Sequence, residues 1–317
     1  MSAPGLRVAF IGGTRFIGHA AAACAVARGH HVTVIHRGEH RSEVPGVESL
    51  AADRTDPEAL RAALTAARPD VVVDTRAMTA SDATDTLDAL RGLCDALVVL
   101  SSQDVYAQFG ALNGLHAPPP EARVTESSPL TVPYPFRGIA EHDGGADYDK
   151  KDVERLVTDA RLRSATILRL PAVYGPRDPA RRFGAIVDAL DRGERTLPRR
   201  GGTFRWTHAH VDDVGLAIVL ACEARLGGAQ VFNVGEANTP TMSDRADAIA
   251  RELGVTICWE EPAELPAEFG LFGPMPNDFV SDSTAIRAAL GYRESLSDEA
   301  AIASLVAGLR ASREEPL

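Results

Sequence analysis

Apolar residues in the first third of the chain fall into short runs with little polar alternation. The runs are Leu6–Ile11, His31–Ile35, Val47–Ala51, Val71–Asp74 and Ala96–Ser101. Such Val-rich runs predict strands buried on both faces, the arrangement of a parallel sheet layered between helices. Between them, Phe16–Arg28, Pro57–Ala67 and Ala83–Leu93 repeat apolar residues at helical spacing. Strand and helix alternate, so the expected class is α/β with a doubly wound parallel sheet.

The alternation pauses at residues 107–146, a long irregular excursion rich in Gly and Pro. Insertions of this size at strand ends are usually functional or mobile. A helix over 147–162 and a strand at Ala165–Leu170 resume the pattern. Further on come a helix at Ala180–Arg192, a short strand near Phe204, a helix at Asp212–Glu223 and a strand at Gln230–Val234. A helix at Ser243–Leu253, a segment at Val255–Trp259, a Pro-rich loop at 262–276 and a helix near Ser297–Ala311 complete the reading. The expected division is a nucleotide-binding domain over 1–175, with strand and helix contributions from about 204–235. Residues 176–317 then form mainly a smaller substrate-binding lobe.

Composition narrows the function. The net charge of -11 argues against a nucleic-acid surface, which carries a basic stripe. Cys24, Cys94, Cys222 and Cys258 stand far apart in apolar segments, with no zinc spacing. They read as reduced core thiols, and no metal site is expected. No run approaches the ~20 apolar residues of a membrane span, and MSAPGLR has no leader-like core, so a cytoplasmic protein is expected. Of 33 basic residues only Lys150 and Lys151 are lysines. An ammonium has a tunable pKa that arginine lacks, which makes this pair a candidate site.

The first strand runs into Gly12-Gly13-Thr14-Arg15-Phe16-Ile17-Gly18 and then a helix. A glycine turn in that position aims backbone N–H groups and a helix N-terminus at a phosphate, as in Rossmann-type folds. Gly12 serves the tight turn and Gly18 close helix packing. Arg15 replaces the usual closest-approach glycine and can grip phosphate oxygens itself. The second strand ends at His36 and Arg37, with His40 and Arg41 following and no acid to hold a ribose diol. This cationic exit favours NADP, with NAD as the alternative. Asp53, followed by Arg54, can meet an adenine amino group, and Asp74 ends the fourth strand beside the cofactor crevice. A helix-cap role for Asp74 stays open.

These motifs, with LSSQDVYA at 100–107, RLPAVYGPRD at 169–178, HVDDV at 210–214, FNVG at 232–235 and LGY at 290–292, resemble the extended, atypical branch of the short-chain dehydrogenase/reductase superfamily. The resemblance is to the NAD(P)-dependent epimerase/dehydratase group and covers nearly the whole chain. It implies that Ser102, with Ser101 beside it, orients the reacting oxygen, and that a tyrosine assisted by a lysine moves the proton. The family spacing is YxxxK, whereas Tyr148 precedes Lys150 and Lys151 by two and three residues. Aligning Lys150 and Glu154 with the family's KxxxE puts Ala146 at the tyrosine position. Helix geometry pairs Tyr148 with Lys151 at i,i+3 and turns Lys150 away; Tyr148 can still serve as the acid/base if the helix begins late or the loop repositions it.

The resemblance further places Pro171 and Val173 at the nicotinamide, with Tyr174 either there or in the core. It gives Arg205 to the substrate, expected to be a nucleotide sugar or related polyol, and Asp104 is a further expected contact. The insertion at 126–138 brings Tyr134 and Arg137 to the substrate if it folds over the strand ends, and a packed lid with no ligand contact is the alternative. His210 reads as a structural hydrogen-bonder and Asp212 as a helix cap. A homodimer is expected by analogy. Two other functions stay open: a catalytically weak NADP(H)-binding regulator, and an RNA-binding relative of the chloroplast stem-loop-binding proteins.

Overall fold

The computed structural model describes residues 5–121, 123–142 and 144–314; Met1–Pro4, part of the segment read for a leader, lie outside them. Strands β1 (Arg7–Ile11), β2 (His31–His36), β3 (Glu48–Ala51), β4 (Val71–Asp74) and β5 (Ala96–Ser102) alternate with helices α1 (Phe16–Ala27), α2 (Pro57–Ala67) and α3 (Ala80–Leu90). Helix α4 (Ala107–Leu112) opens the excursion. There follow α5 (Lys150–Asp159), β6 (Ser164–Leu170), β7 (Ala172–Tyr174), α6 (Gly184–Asp191), β8 (Thr196–Pro198), β9 (His208–His210), α7 (Val211–Ala224) and β10 (Gly228–Asn233). Helix α8 (Met242–Glu252), β11 (Cys258–Glu260), α9 (Thr284–Leu290) and α10 (Asp298–Glu314) complete the chain.

Seven strands form one parallel sheet in the order β10-β6-β5-β4-β1-β2-β3. Alternate residues of β1 feed two cores. Val8 and Phe10 pack with α1 and α7 through Ala21, Ala25, Val214 and Ile218. Ala9 and Ile11 pack with α2, α3 and α5 through Leu60, Leu64, Leu90, Val153 and Val157. Burial on both faces is why the strands lack polar alternation. A third cluster joins the excursion to the C-terminal elements through Tyr134, Tyr148, Ile186, Phe272, Phe279 and Leu305.

The departures from expectation have local causes. Helix α5 starts at Lys150, not 147, because the Asp149 carboxylate caps it by accepting from the Lys151 N–H at 2.9 Å. Asp178 takes the N–H groups of Ala180 and Arg182 at 3.0 Å, holding a turn there and delaying α6 to Gly184. The strand expected near Phe204 is reduced to single bridges, Arg205 with Thr241 and Trp206 with Phe279. Cys222 is buried, but Cys258 on β11 is exposed and is no core thiol.

One buried ion pair ties α5 to the sheet. Arg169 on β6 donates from Nε and Nη2 to Glu154 on α5 at 2.9 and 2.7 Å, and Ser101 on β5 donates to the same carboxylate at 2.5 Å. Both charged side chains are over nine-tenths buried. Removing one partner of such a pair strands the other charge without water. Arg169→Met is expected to lower the unfolding free energy by about 3–5 kcal/mol. Arg310→Ala, which breaks a half-exposed pair with Asp191, should cost less than about 1 kcal/mol; denaturant titrations of the two variants check the contrast.

Candidate active site

The chain order runs outward from β1 to β3, returns to β4 and proceeds the other way, so the crevice at the carboxyl ends of β1 and β4 is a topological switch point. The glycine turn lies there. Gly12 and Gly13 take φ of +83° and +111°, a region that L side chains avoid. A Cβ on Gly18 would stand 2.3 Å from the Gly13 Cα, so its absence lets the helix close onto the turn. Helix α1 starts with no side-chain cap and no acid in its first turn. By contrast α2, α3, α5, α7 and α8 are capped by Asp56, Thr79, Asp149, His210 and Thr241. An uncapped N-terminus behind a glycine turn fits the pyrophosphate of a dinucleotide. Thr14, Phe16 and Ile17 are half-buried around it and Arg15 is exposed.

Arg15 reaches across to the loop after β2, where its Nη2 meets His40 Nε2. His36 is half-buried, accepts from the Gly38 N–H at 3.0 Å, and has its pKa lowered by burial and then by Arg41. The arginines of this mouth are Arg15, Arg37 and Arg41. Arg37 is exposed and pairs with Glu39 at 3.4 Å. Asp53 is exposed and held ionised by the Thr55 N–H and hydroxyl, at 2.9 and 2.8 Å from Oδ1.

Asp74 and Arg54 satisfy each other. The guanidinium donates from Nη1 and Nη2 to the two carboxylate oxygens at 2.9 and 3.0 Å, and Thr86 adds a bond of 2.6 Å. Asp74 is fully buried, and it is a bracket between the ends of β3 and β4, not a helix cap.

The residues expected to move the proton meet at the end of β5. Ser102 accepts from the Asp104 N–H at 3.2 Å. The buried Asp104 carboxylate accepts two phenols, Tyr134 to Oδ1 at 2.6 Å and Tyr148 to Oδ2 at 2.9 Å. Desolvation raises the Asp104 pKa against those bonds. Burial, then the Asp104 charge, raises both phenols far above their ordinary range.

The lysine geometry inverts the helical-wheel expectation. Tyr148 lies outside the helix, before its cap. Lys150, not Lys151, comes over the Tyr148 ring at 5.8 Å while donating to Ala77 O at 2.7 Å and Leu100 O at 2.9 Å. Burial pushes its pKa down to about 8. Lys151 bonds Thr131 O at 2.8 Å and sits over Tyr134.

The other expected site residues have partners or packing of their own. Ser101 is committed to Glu154. Pro171 and Val173 are buried, Val173 inside the sheet core. Tyr174 is buried against Phe183, His208 and His210, a core position. Arg205 is exposed and donates to Thr239 O at 2.7 Å. Arg137 is exposed and pairs with Asp149 and Asp152 at the head of α5. His210, not Asp212, caps α7, and no metal-competent group of His, Cys, Asp and Glu occurs among the described residues. His142 was missed: its ring lies 4.2 Å from that of Tyr148, a contact with no motif to announce it. Arg169 was missed too, although an arginine in an apolar strand signals a buried partner.

A model of the NAD dependent epimerase/dehydratase family matches residues 8–235. The chain is 30% identical over 233 residues to a 2'-dehydrokanamycin reductase of Streptomyces kanamyceticus, covering 67% of this chain and 57% of that protein. It is 30% identical over 235 residues to a 3-diazoavenalumate denitrifying reductase of a Streptomyces species, covering 70% and 74%. The UDP-Glc/GlcNAc 4-epimerase of Campylobacter jejuni shares the fold with a TM-score of 0.74 at 17% identity, over 96% and 99% of the two chains.

Lys150 yields a pH prediction. Its folded pKa, about 8, lies below the ordinary value near 10.4 of an unfolded lysine. Between these values the unfolded chain binds the extra proton, so stability gains with rising pH. Relative to Lys150→Met, the wild type should gain on the order of 2 kcal/mol between about pH 7.5 and 9.5, read by urea denaturation at both pH values.

Proposed function

The chain belongs to the NAD dependent epimerase/dehydratase family, and within it we propose an NADP(H)-dependent oxidoreductase. It acts at a carbinol or carbonyl carbon of a nucleotide sugar or related polyol. The observation that carries this reading is the meeting of Ser102, Asp104, Tyr148 and Lys150 at the end of β5. The reductase names of the two sequence relatives support hydride transfer to an acceptor. The nucleotide-sugar epimerase with the same fold supports the substrate class.

The bound cofactor would supply or take the hydride. Gly12, Gly13 and the α1 N-terminus hold its phosphates, and Arg15, Arg37 and Arg41 favour a ribose 2′-phosphate over a free diol. Ser102 orients the substrate oxygen by hydrogen bonding, and Tyr148 exchanges its proton. Residues 176–317 form the main part of the substrate lobe.

Loss of a charge-assisted bond of about 1.5–3 kcal/mol means that Arg15→Ala weakens NADPH binding roughly ten- to a hundredfold. NADH binding should change less than about threefold; isothermal titration with both cofactors tests this, and equal loss for both would remove the NADP assignment. Ser102→Ala should lower turnover of a UDP-sugar about 100-fold, as for other lost oxygen-orienting donors; undiminished turnover would sink the role given to that serine.

A further inference from the structure

The phenol that the proposed function assigns to proton exchange is not poised as a base. Tyr148 spends its hydrogen on Asp104 Oδ2, and the carboxylate's other oxygen is held by Tyr134. The three side chains are over nine-tenths buried. Resting on that function, we propose that the proton exchanged with the substrate passes through Tyr148 to Asp104, so that the resting base of the site is a carboxylate and not a phenolate.

The step balances. On oxidation the carbinol C–H bond breaks with its electron pair, leaving as hydride to the oxidised nicotinamide, while the substrate O–H proton bonds to Tyr148 Oη. The original Tyr148 O–H bond breaks in the same event and its proton bonds to Asp104 Oδ2. The carbinol becomes a carbonyl, the carboxylate becomes a carboxylic acid, and the phenol ends neutral with a different proton. Reduction reverses every movement.

The surroundings favour this route over a stored phenolate. Facing the cluster are Ser102 and Lys150, with His142 against the Tyr148 ring and Lys151 over the Tyr134 ring. Lys150 in turn feels Asp74, Asp82 and Arg76. Ionising Tyr148 would set a second anion beside a buried carboxylate, and the nearest ammonium already serves two backbone carbonyls. Burial instead raises Asp104, bringing a carboxyl closer to the pH at which it can both take and return a proton. Tyr134 keeps Oδ1 engaged, so Oδ2 is the oxygen that receives it. Asp104 thus acts through Tyr148, as a positioning and proton-accepting residue.

The test needs no substrate for its main arm. All five tyrosines, Tyr106, Tyr134, Tyr148, Tyr174 and Tyr292, are buried, with pKa values raised by desolvation. The folded full-length protein should therefore show little phenolate absorbance near the ordinary tyrosine pKa of about 10. Asp104→Asn removes the anion, and Tyr148 should then titrate at least about one unit lower in an ultraviolet titration followed alongside circular dichroism. Tyr134 loses the same anion, so the share of Tyr148 is the absorbance lost on going from Asp104→Asn to the Asp104→Asn/Tyr148→Phe double variant. An unchanged titration in Asp104→Asn, or identical titrations of the single and double variants, overturns the proposal. Should Asp104→Asn not fold, Tyr148→Phe retains the carboxyl and should titrate it at higher pH, read by infrared carbonyl absorption; an unshifted band overturns it equally. With NADP and UDP-glucose as the activity probe, Asp104→Asn should lower kcat about 100-fold with KM within about threefold, and unchanged kcat overturns the relay. A wild type inert towards UDP-sugars defeats the substrate reading alone, because the titrations still decide the fate of the Tyr148 proton.

Discussion

The site depends on the Glu154–Arg169 pair. Glu154 sits one turn into α5 and Arg169 near the end of β6, and Ser101 at the end of β5 shares the same carboxylate. Arg169 also donates to Tyr106 Oη at 2.9 Å, and Tyr106 donates to Asn233 at 2.7 Å. One buried charge pair thus fixes three neighbouring strands and the helix that carries Lys150. Ser102 and Asp104 follow Ser101 directly, and Tyr148 precedes the helix by two residues. Their mutual geometry is set by the same anchor. Buried ion pairs add little net stability against apolar substitutes, so the pair is best understood as fixing register and direction.

The sheet was legible because burial on two faces leaves a plain mark in composition: a run such as VVVD can be little else once helical segments flank it. The glycine turn was legible because positive φ and close packing both demand glycine. The cluster at the end of β5 was only half legible. Ser102, Asp104, Tyr134, Tyr148 and Lys150 were singled out and His142 was not; Asp104 and Tyr134 were read as substrate contacts, and the partner relations were not visible. Asp104 meets Tyr134 across thirty residues and Tyr148 across forty-four, and no periodicity links such positions. The pairing of Tyr148 with Lys151 failed for a smaller reason. A single cap, Asp149, moved the helix start past Tyr148 and cancelled the wheel on which the pairing rested.

The excursion over 107–146 packs onto this cluster instead of away from it. Tyr134, Phe136 and His142 pack around the Tyr148 ring at centroid distances of 5.6, 6.0 and 4.2 Å. Such an aromatic cover keeps water from the phenol and strengthens each electrostatic contact beneath it. On the cofactor side, the loop after β2 is tied at two points, by Arg15 to His40 and by Arg177 to Glu43 at 2.7 Å. Both ties are exposed and weak individually.

The placement of Lys150 and Lys151 has a chemical corollary. These are the chain's only side-chain primary amines, and both stand at the head of α5, one over each phenol that binds Asp104. Amine-directed chemistry, whether isotopic methylation for spectroscopy or attachment to a solid support, has no other side chain to modify. Every acyl or alkyl group placed on a lysine of this protein is thus a probe of the two phenols around Asp104.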